Sequence, residues 1–417
     1  MIPNFSKIKT AHFIGIGGIG ISAIARMFLL EGKRVSGSDI AENEVTKELE
    51  RLGALIAYNQ RAENVPADCE LVIYTIAVPP ENPEFAEAKR REIPMLSYPE
   101  ALGIISKEKY TIAVSGTHGK TTTTAMIARI LMDAGLDPTV IVGSFLIDAK
   151  GERTNFIAGK SKYLVVEACE YRRSFLNLSP KILVVTNIDA DHLDYYKDLD
   201  DIKNAFAALA EKVPKDGVVI DNFEAFSLPN DFKLKIPGKH NISNAKAALA
   251  VARALRIDET VALKALADFS GTWRRFEYRG KAKNDALVYD DYGHHPHEIE
   301  ATLQGARELF PTQKITVVFQ PHLYSRTKDH LKDFGKCFAR ADAVILLPIY
   351  PAREKDPGDI NSQMVAEEIK KNGKDAHLVA TFVEAAALAE KLSYSDSIII
   401  TLGAGETNRV ADILVAK

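Results

Sequence analysis

Short apolar, β-branched runs alternate with helix-period segments along almost the whole chain, and this rhythm restricts the fold more than any other feature. It restarts three times. AHFIGIG opens the first stretch; Ile21, Ile24, Ala25, Phe28 and Leu29 then recur at helical spacing, and RVSGSD and LVIYT read as the next strands. YTIAVSG at 110–116 opens the second, followed by the helix-like TTTTAMIARILMDAG. The strands YLVVEA (163–168), KILVVTN (181–187) and GVVI (217–220) come next, and a helix starts near Asn241. ALVYDDY at 286–292 opens the third, and KITVVFQ, AVILLPI and SIIITLGAG continue it. Strands that alternate with helices predict parallel sheets covered on both faces, an α/β fold. At about 150 residues per domain, 417 residues suggest two or three domains. Charged and turn-forming residues interrupt the rhythm near 107 and 277, so the expected domains are 1–107, 108–277 and 278–417.

Composition removes several classes of function. Hydrophobic residues at 46% and charged residues at 26% are a globular balance and exclude a disordered chain. A net charge of −3 gives no broad electrostatic footprint for nucleic acid, so no nucleic-acid partner is expected. The three cysteines, Cys69, Cys169 and Cys337, are scattered without metal-ligand spacing. No apolar run approaches the ~18 residues of a membrane span, and MIPNFSKIKTAHFIGIGG lacks a signal-peptide pattern. A cytoplasmic protein is expected.

In open parallel sheets ligands bind beyond the carboxyl ends of the strands, and the informative residues cluster there. Gly116, Thr117, His118, Gly119, Lys120, Thr121 and Thr122 join a strand to a helix. Glycines let backbone N–H groups approach phosphate, and the helix N-terminus favours negative charge. Lys120 can span the outer phosphates of ATP, and the Thr121 hydroxyl can reach Mg2+. A glycine turn with a surface lysine is the plainer alternative, and the strand–helix context counts against it. Gly15, Gly17, Gly18 and Gly20 form a second glycine turn after a strand, with Asp39 about 20 residues on. Such a turn suits any pyrophosphate and the acid any ribose hydroxyl, so a nucleotide-sugar diphosphate fits as well as a dinucleotide.

The remaining candidates are less specific. Glu167 and His192 each follow an apolar strand and could hold a divalent ion beside ATP, while Asp191 and Asp194 read as loop caps and His192 reads equally well as an ordinary turn histidine. Asn241 and Asn244, at a helix entry, offer amides suited to a purine edge, although asparagine is also a common N-cap. In Asp290-Asp291-Tyr292-Gly293-His294-His295-Pro296, Pro296 reads as the first residue of a helix with Glu298 just inside it. A ribose-binding aspartate and a substrate-facing histidine suit this stretch better than a metal site. Polar residues of FQPHLYSRT (319–327) follow a strand and can converge on a ligand, and Arg274 and Arg275 could bind phosphate or carboxylate.

Together these stretches resemble the Mur ligases, and within that family the alanine-adding branch. The resemblance runs from HFIGIGGIGISAIA to LGAGE through GSDI (37–40), SGTHGKTTTT (115–124), HNISN (240–244), DDYGHHP (290–296) and FQPHLYSRT. It implies an N-terminal Rossmann-like domain binding the UDP substrate, a central P-loop ATPase domain with a mostly parallel sheet, and a C-terminal Rossmann-like α/β domain binding the amino acid and part of ATP. It implies an ATP-dependent ligase of peptidoglycan precursor synthesis that joins L-alanine to the carboxylate of UDP-N-acetylmuramate through an acyl phosphate, with Mg2+, or Mn2+ in its place. By the same resemblance Gly15, Gly17, Gly18, Gly20 and Asp39 face UDP; Gly116 to Thr122, Asn241, Asn244, Arg275 and Asp290 or Asp291 face ATP. Thr121, Glu167 and His192 hold metal, and Tyr292, His294, His322 and Arg326 face the amino acid, with His294 a candidate base. A monomer or weak homodimer is expected.

Relatives that add a peptide to the same sugar nucleotide more often have phenylalanine-alanine where Tyr292-Gly293 stand. A nicotinamide oxidoreductase built on the first glycine turn leaves the Lys120 loop unexplained, and a non-catalytic nucleotide-binding regulator leaves the set of ATP, metal and substrate residues without a use. The chain departs from the branch at Leu323, where arginine is usual, at Glu167–Arg173 (EACEYRR), where EADES is typical, and at Glu406, usually aspartate. It is also shorter than the branch norm, mainly in the central domain. These departures bear on amino-acid selectivity more than on ATP chemistry, and Arg172 or Arg173 is the candidate to replace the missing cation.

Overall fold

A computed structural model describes residues 3–147, 153–193, 195–352 and 354–416. Asp194 lies outside the described residues. Three sheets follow one another along the chain, as the three restarts predict. The first contains β1 (Thr10–Ile14), β2 (Arg34–Ser38), β3 (Leu55–Ala57), β4 (Leu71–Tyr74) and β5 (Met95–Ser97), all parallel, in the order β3-β2-β1-β4-β5. The second contains β6 (Tyr110–Ser115), β7 (Thr139–Ile147), β8 (Arg153–Ile157), β9 (Tyr163–Glu167), β10 (Ile182–Val185) and β11 (Val218–Ile220), in the order β11-β10-β6-β9-β7-β8. The third contains β12 (Glu277–Lys281), β13 (Leu287–Asp291), β14 (Ile315–Phe319), β15 (Ala343–Leu346), β16 (Asp375–Leu378) and β17 (Ile398–Leu402), in the order β12-β13-β17-β14-β15-β16. Only β7–β8 and β12–β13 pair antiparallel among the described strands.

The central strands β1, β10, β14, β15 and β17 are buried at every position. Strands covered on both faces need an unbroken apolar run, which is why the sequence announces them. β3, β5, β12 and β16 are short and partly exposed, so they carry no such run. β7 does carry an apolar run, TVIV, which the sequence reading leaves unassigned, and its register against β8 shifts between Ile141 and Leu146.

The chain divides into two compact units, Met1–Phe232 with Ser243–Asp268, and Lys233–Ile242 with Phe269–Lys417. The first unit holds the first two sheets and the second holds the third. In the first unit the carboxyl end of β1 feeds the Gly15 turn, and those of β6, β9 and β10 feed the Lys120 loop, Glu167 and Thr186-Asn187. In the second unit the adjacent β13, β17 and β14 end at Asp291, Leu402 and Phe319, which gathers Tyr292–His294, Gly403–Glu406 and Gln320–Arg326 at one sheet edge. None of the described helices is long and apolar enough to cross a membrane.

Candidate active site

The glycine turn after β1 leads into the helix Ile19–Leu30. Asp39, at the end of β2, reaches back to it: its Oδ2 accepts from the Gly17 N–H at 2.8 Å and its Oδ1 from the Ile40 N–H at 2.7 Å. The glycine motif and its distant acid therefore form one structure.

The phosphate loop is built more tightly. Gly116 has φ +138° and Gly119 φ +83°, conformations that favour glycine. A Cβ at Gly116 would collide with Thr186 Oγ1, and one at Gly119 with the Asn244 amide oxygen. Thr186 and Asn187, just past β10, brace the loop. Thr186 Oγ1 donates to the His118 carbonyl at 2.6 Å, and Asn187 Oδ1 accepts from the His118 N–H at 2.9 Å. Thr117 Oγ1 accepts from the Asp189 N–H at 2.8 Å, and Thr122 is buried at the start of the helix Lys120–Asp133.

Lys120 folds back on its own loop. Its Nζ donates to the Gly116 carbonyl at 2.5 Å and the Thr117 carbonyl at 3.0 Å, and pairs with Glu170 at 2.9 Å. Burial pulls its pKa down, but the carboxylates of Glu170 and Glu167 outweigh that, and the ammonium stays protonated. His192, with φ +54°, places Nε2 3.6 Å from Glu170 Oε1. Glu170 is thus the centre of a Lys120–Glu170–His192 cluster, and sequence reasoning missed it. Its signal was an acid three residues beyond Glu167, at the end of a strand.

Glu167 faces another way. Its Oε2 accepts from the Thr121 hydroxyl at 2.9 Å and from the Gly143 N–H at 3.0 Å. Among the described residues no three His, Cys, Asp or Glu side chains gather as a metal cradle. Mg2+ does not require one, since it commonly takes one or two protein oxygens and completes its shell with phosphate and water. The adjacent Thr121 and Glu167 oxygens fit that pattern, while His192, a nitrogen donor, faces Glu170 instead.

The helix Lys239–Ala254 carries both candidate asparagines. Asn244, in the first unit, lies against Gly119; Asn241, in the second, donates from Nδ2 to the Pro237 carbonyl at 2.6 Å.

In the second unit the two acids of DDYGHHP are engaged within the fold. Asp290 is fully buried and accepts from Arg274 Nε at 2.7 Å and Thr401 Oγ1 at 2.5 Å. Asp291 accepts from the Phe276 and Gly293 N–H groups, each at 2.8 Å, and from Thr302 Oγ1 at 3.1 Å. Arg274 also donates to the Gly405 and Gly403 carbonyls at 2.8 and 2.6 Å. Of the two arginines read as anion ligands, Arg274 is therefore a brace for the LGAGE loop. Gln320 is a second brace the sequence left unassigned, accepting from the Glu406 N–H at 2.9 Å.

Arg275 differs from its neighbour. Its guanidinium makes no hydrogen bond or ion pair among the described residues and lies 5.3 Å from the Tyr292 ring centroid. Arg326 approaches His322 Nδ1 at 3.2 Å and has no carboxylate partner among the described residues. The His294 ring stands 5.6 Å from Tyr292 and 5.8 Å from His322, with Nδ1 3.3 Å from Glu298 Oε2. Pro296 opens the helix Pro296–Leu309 as expected, and Glu298 closes its capping box with His295. Tyr292, His294, His322 and Arg326 thus form one cluster beside the Arg275 guanidinium, an arrangement suited to a carboxylate and an amine. Leu323, by contrast, is buried at φ +71° with its N–H on the Tyr350 carbonyl at 2.9 Å. Arg173 pairs with Asp201 at 2.6 Å, whereas Arg172 lies over the Tyr171 ring.

Known proteins resemble the chain along nearly its whole length. Residues 10–110 match the Mur ligase family catalytic domain, 114–228 the Mur ligase middle domain and 274–405 the Mur ligase glutamate ligase domain. The UDP-N-acetylmuramate–L-alanine ligase of Clostridium kluyveri is 40% identical over 98% of both chains. That of Acetivibrio thermocellus is 42% identical over 99% of this chain and 96% of its own. The crystal structure of the UDP-N-acetylmuramate–alanine ligase from Thermotoga maritima, 31% identical, superposes with a TM-score of 0.83 over 97% of this chain and 98% of that one. The chain belongs to the Mur ligase family.

Proposed function

We propose that this protein is an ATP-dependent ligase that joins L-alanine to the carboxylate of UDP-N-acetylmuramate in the cytoplasm, for peptidoglycan precursor synthesis. The observation that carries this reading is the whole-length likeness to ligases named for that reaction, at 40% identity over 98% of both chains. In this reading residues 1–107 bind the uridine diphosphate part, 108–277 bind ATP, and 278–417 bind the amino acid and part of ATP. The protein acts as a monomer or weak homodimer.

The muramyl carboxylate attacks the terminal phosphorus of ATP, ADP leaves, and the alanine amine attacks the resulting acyl phosphate and expels phosphate. The first step sets anion against anion. Lys120, kept cationic by its surroundings, reduces that repulsion once it leaves the loop carbonyls for the phosphates. Thr121 and Glu167 would hold Mg2+, with His192 and Glu170 beside them. When bound, the ion neutralises charge developing on the phosphate oxygens. Asn244 lies close enough to the loop to meet the nucleotide, and Asn241 and Arg275 complete its binding, with the buried Asp290 and Asp291 fixing the strand end beside them. Arg326 takes the alanine carboxylate, Tyr292 and His322 shape its pocket, and His294 accepts the amine proton.

The test is phosphate release from ATP with Mg2+ and UDP-N-acetylmuramate, with and without L-alanine, and the product identified by mass. Release that requires both substrates and yields the amide is expected. Turnover with a tripeptide but not with alanine would move the assignment to a peptide ligase.

A further inference from the structure

Tyr98 touches the sugar-nucleotide turn and lies in the field of the ATP-side carboxylate. It is the first residue of the helix Tyr98–Glu108, whose start is fixed by Ser97: the Ser97 N–H and hydroxyl donate to Glu100 Oε2 at 2.8 and 2.6 Å. From there the phenol reaches the first turn of the helix Ile19–Leu30. A Cβ at Gly20 would stand 2.6 Å from Tyr98 Cζ and 2.9 Å from its Oη. The last glycine of the turn is therefore required by this side chain. Burial, followed by the charges of Cys169 and Glu167, raises the Tyr98 pKa well above the ordinary phenol value, so the hydroxyl is a stable donor. It has no hydrogen-bond partner among the described residues.

The two neighbourhoods are also tied to each other. Arg26 Nε donates to Asn155 Oδ1 at 2.9 Å, and Asn155 Nδ2 donates to Ser22 Oγ at 2.8 Å and to the Ile19 carbonyl. Asn155 is on β8 of the second sheet, while Ile19, Ser22 and Arg26 are on the helix that ends the glycine turn. These buried bonds hold the turn in fixed relation to the sheet that carries the phosphate loop.

We propose that Tyr98 is a positioning residue for the acidic sugar nucleotide, its hydroxyl donating a hydrogen bond to an oxygen of the segment between the diphosphate and the reacting carboxylate. A substrate with its diphosphate on the Gly15–Gly20 turn and its carboxylate on ATP passes this donor, which aims the carboxylate toward the Thr121–Glu167 pair. The inference rests on the ligase reading above.

The test compares Tyr98→Phe, Tyr98→Ala and the wild type by titration calorimetry with UDP-N-acetylmuramate and with UDP alone, in the absence of ATP, together with KM for each substrate. Tyr98→Phe keeps the ring and removes only the donor. Its affinity for UDP-N-acetylmuramate is expected to fall about tenfold, the effect of one hydrogen bond to a polar or charged acceptor. UDP affinity and the KM for ATP stay within about twofold. Wild-type affinity in Tyr98→Phe, with loss only in Tyr98→Ala, would show a packing role and overturn the proposal, as would equal losses for UDP and UDP-N-acetylmuramate. A wild type that binds UDP but not UDP-N-acetylmuramate would overturn the ligase reading and this proposal with it.

Discussion

Arg274 Nε lies 2.7 Å from Asp290 Oδ2, and neither side chain is more than 3% exposed. The pair joins the end of β13 to the loop after β17, because the same guanidinium holds the Gly403 and Gly405 carbonyls. Removing one partner of a buried ion pair leaves an uncompensated charge and costs about 3–5 kcal/mol. Arg274→Met should therefore lower the thermal midpoint by several degrees. Burial raises the Asp290 pKa, with Arg274 opposing it. A carboxyl raised on folding contributes stability below its unfolded value, about 3.9, and loses it as pH rises through the folded value. Without Arg274 the folded value climbs further, so the deficit should widen as pH rises. Melts from about pH 4 to 7 showing a constant deficit would count against this account.

Gly119 answers to both backbone and neighbour. Its φ is +83°, and a Cβ there meets the Asn244 amide oxygen. Gly119→Ala combines a left-handed penalty of about 1–2 kcal/mol with that collision. ATP affinity should fall at least tenfold, since the loop cannot keep its shape. The melting midpoint should fall with it, and wild-type ATP affinity in Gly119→Ala by titration would overturn this account of the loop.

The buried parallel strands and the two glycine loops were legible in the sequence because each needs a local signature: an unbroken apolar run, or glycines ahead of a helix. The Thr121–Glu167 contact and the His294–His322–Arg326 cluster followed from residues placed at strand ends. What was not legible depends on pairing between distant segments. Glu170 and Glu167 are three residues apart at the end of one strand, yet one faces Lys120 and the other Thr121. Arg274 and Arg275 are adjacent, yet one is a brace with every bond internal and the other makes no side-chain hydrogen bond or ion pair among the described residues. The Gly143 N–H reaches Glu167 from β7, whose register against β8 shifts between Ile141 and Leu146, and no spacing in TVIVGSFLI announces that contact.

The Thr121–Glu167 hydrogen bond gives the metal reading a direct test. Exhaustive chelation should abolish turnover, and added Mg2+ should restore it. Thr121→Val removes one oxygen donor and frees the Glu167 carboxylate from its hydroxyl partner. The Mg2+ concentration for half-maximal rate should rise about 10–100-fold, with full rate approached at high Mg2+. An unchanged Mg2+ dependence would take Thr121 out of the metal's surroundings.

His294 accepts a proton only when neutral, so its pKa sets the acid limb of the alanine reaction. Burial draws that pKa below the ordinary histidine value, with Glu298 opposing and Arg326 and Arg275 reinforcing the shift. The acid limb of kcat/KM for alanine should therefore have its midpoint below about pH 6.5. Glu298 accepts the His294 N–H at 3.1 Å and the His295 N–H at 3.2 Å, and a glutamine oxygen can take over both bonds. Glu298→Gln thus keeps the helix cap while removing the charge that opposes the shift, and the limb should move to still lower pH. His294→Asn should reduce kcat by about 10²–10⁴ and abolish the limb. A limb that persists in His294→Asn, or moves upward in Glu298→Gln, would assign the titration to another group.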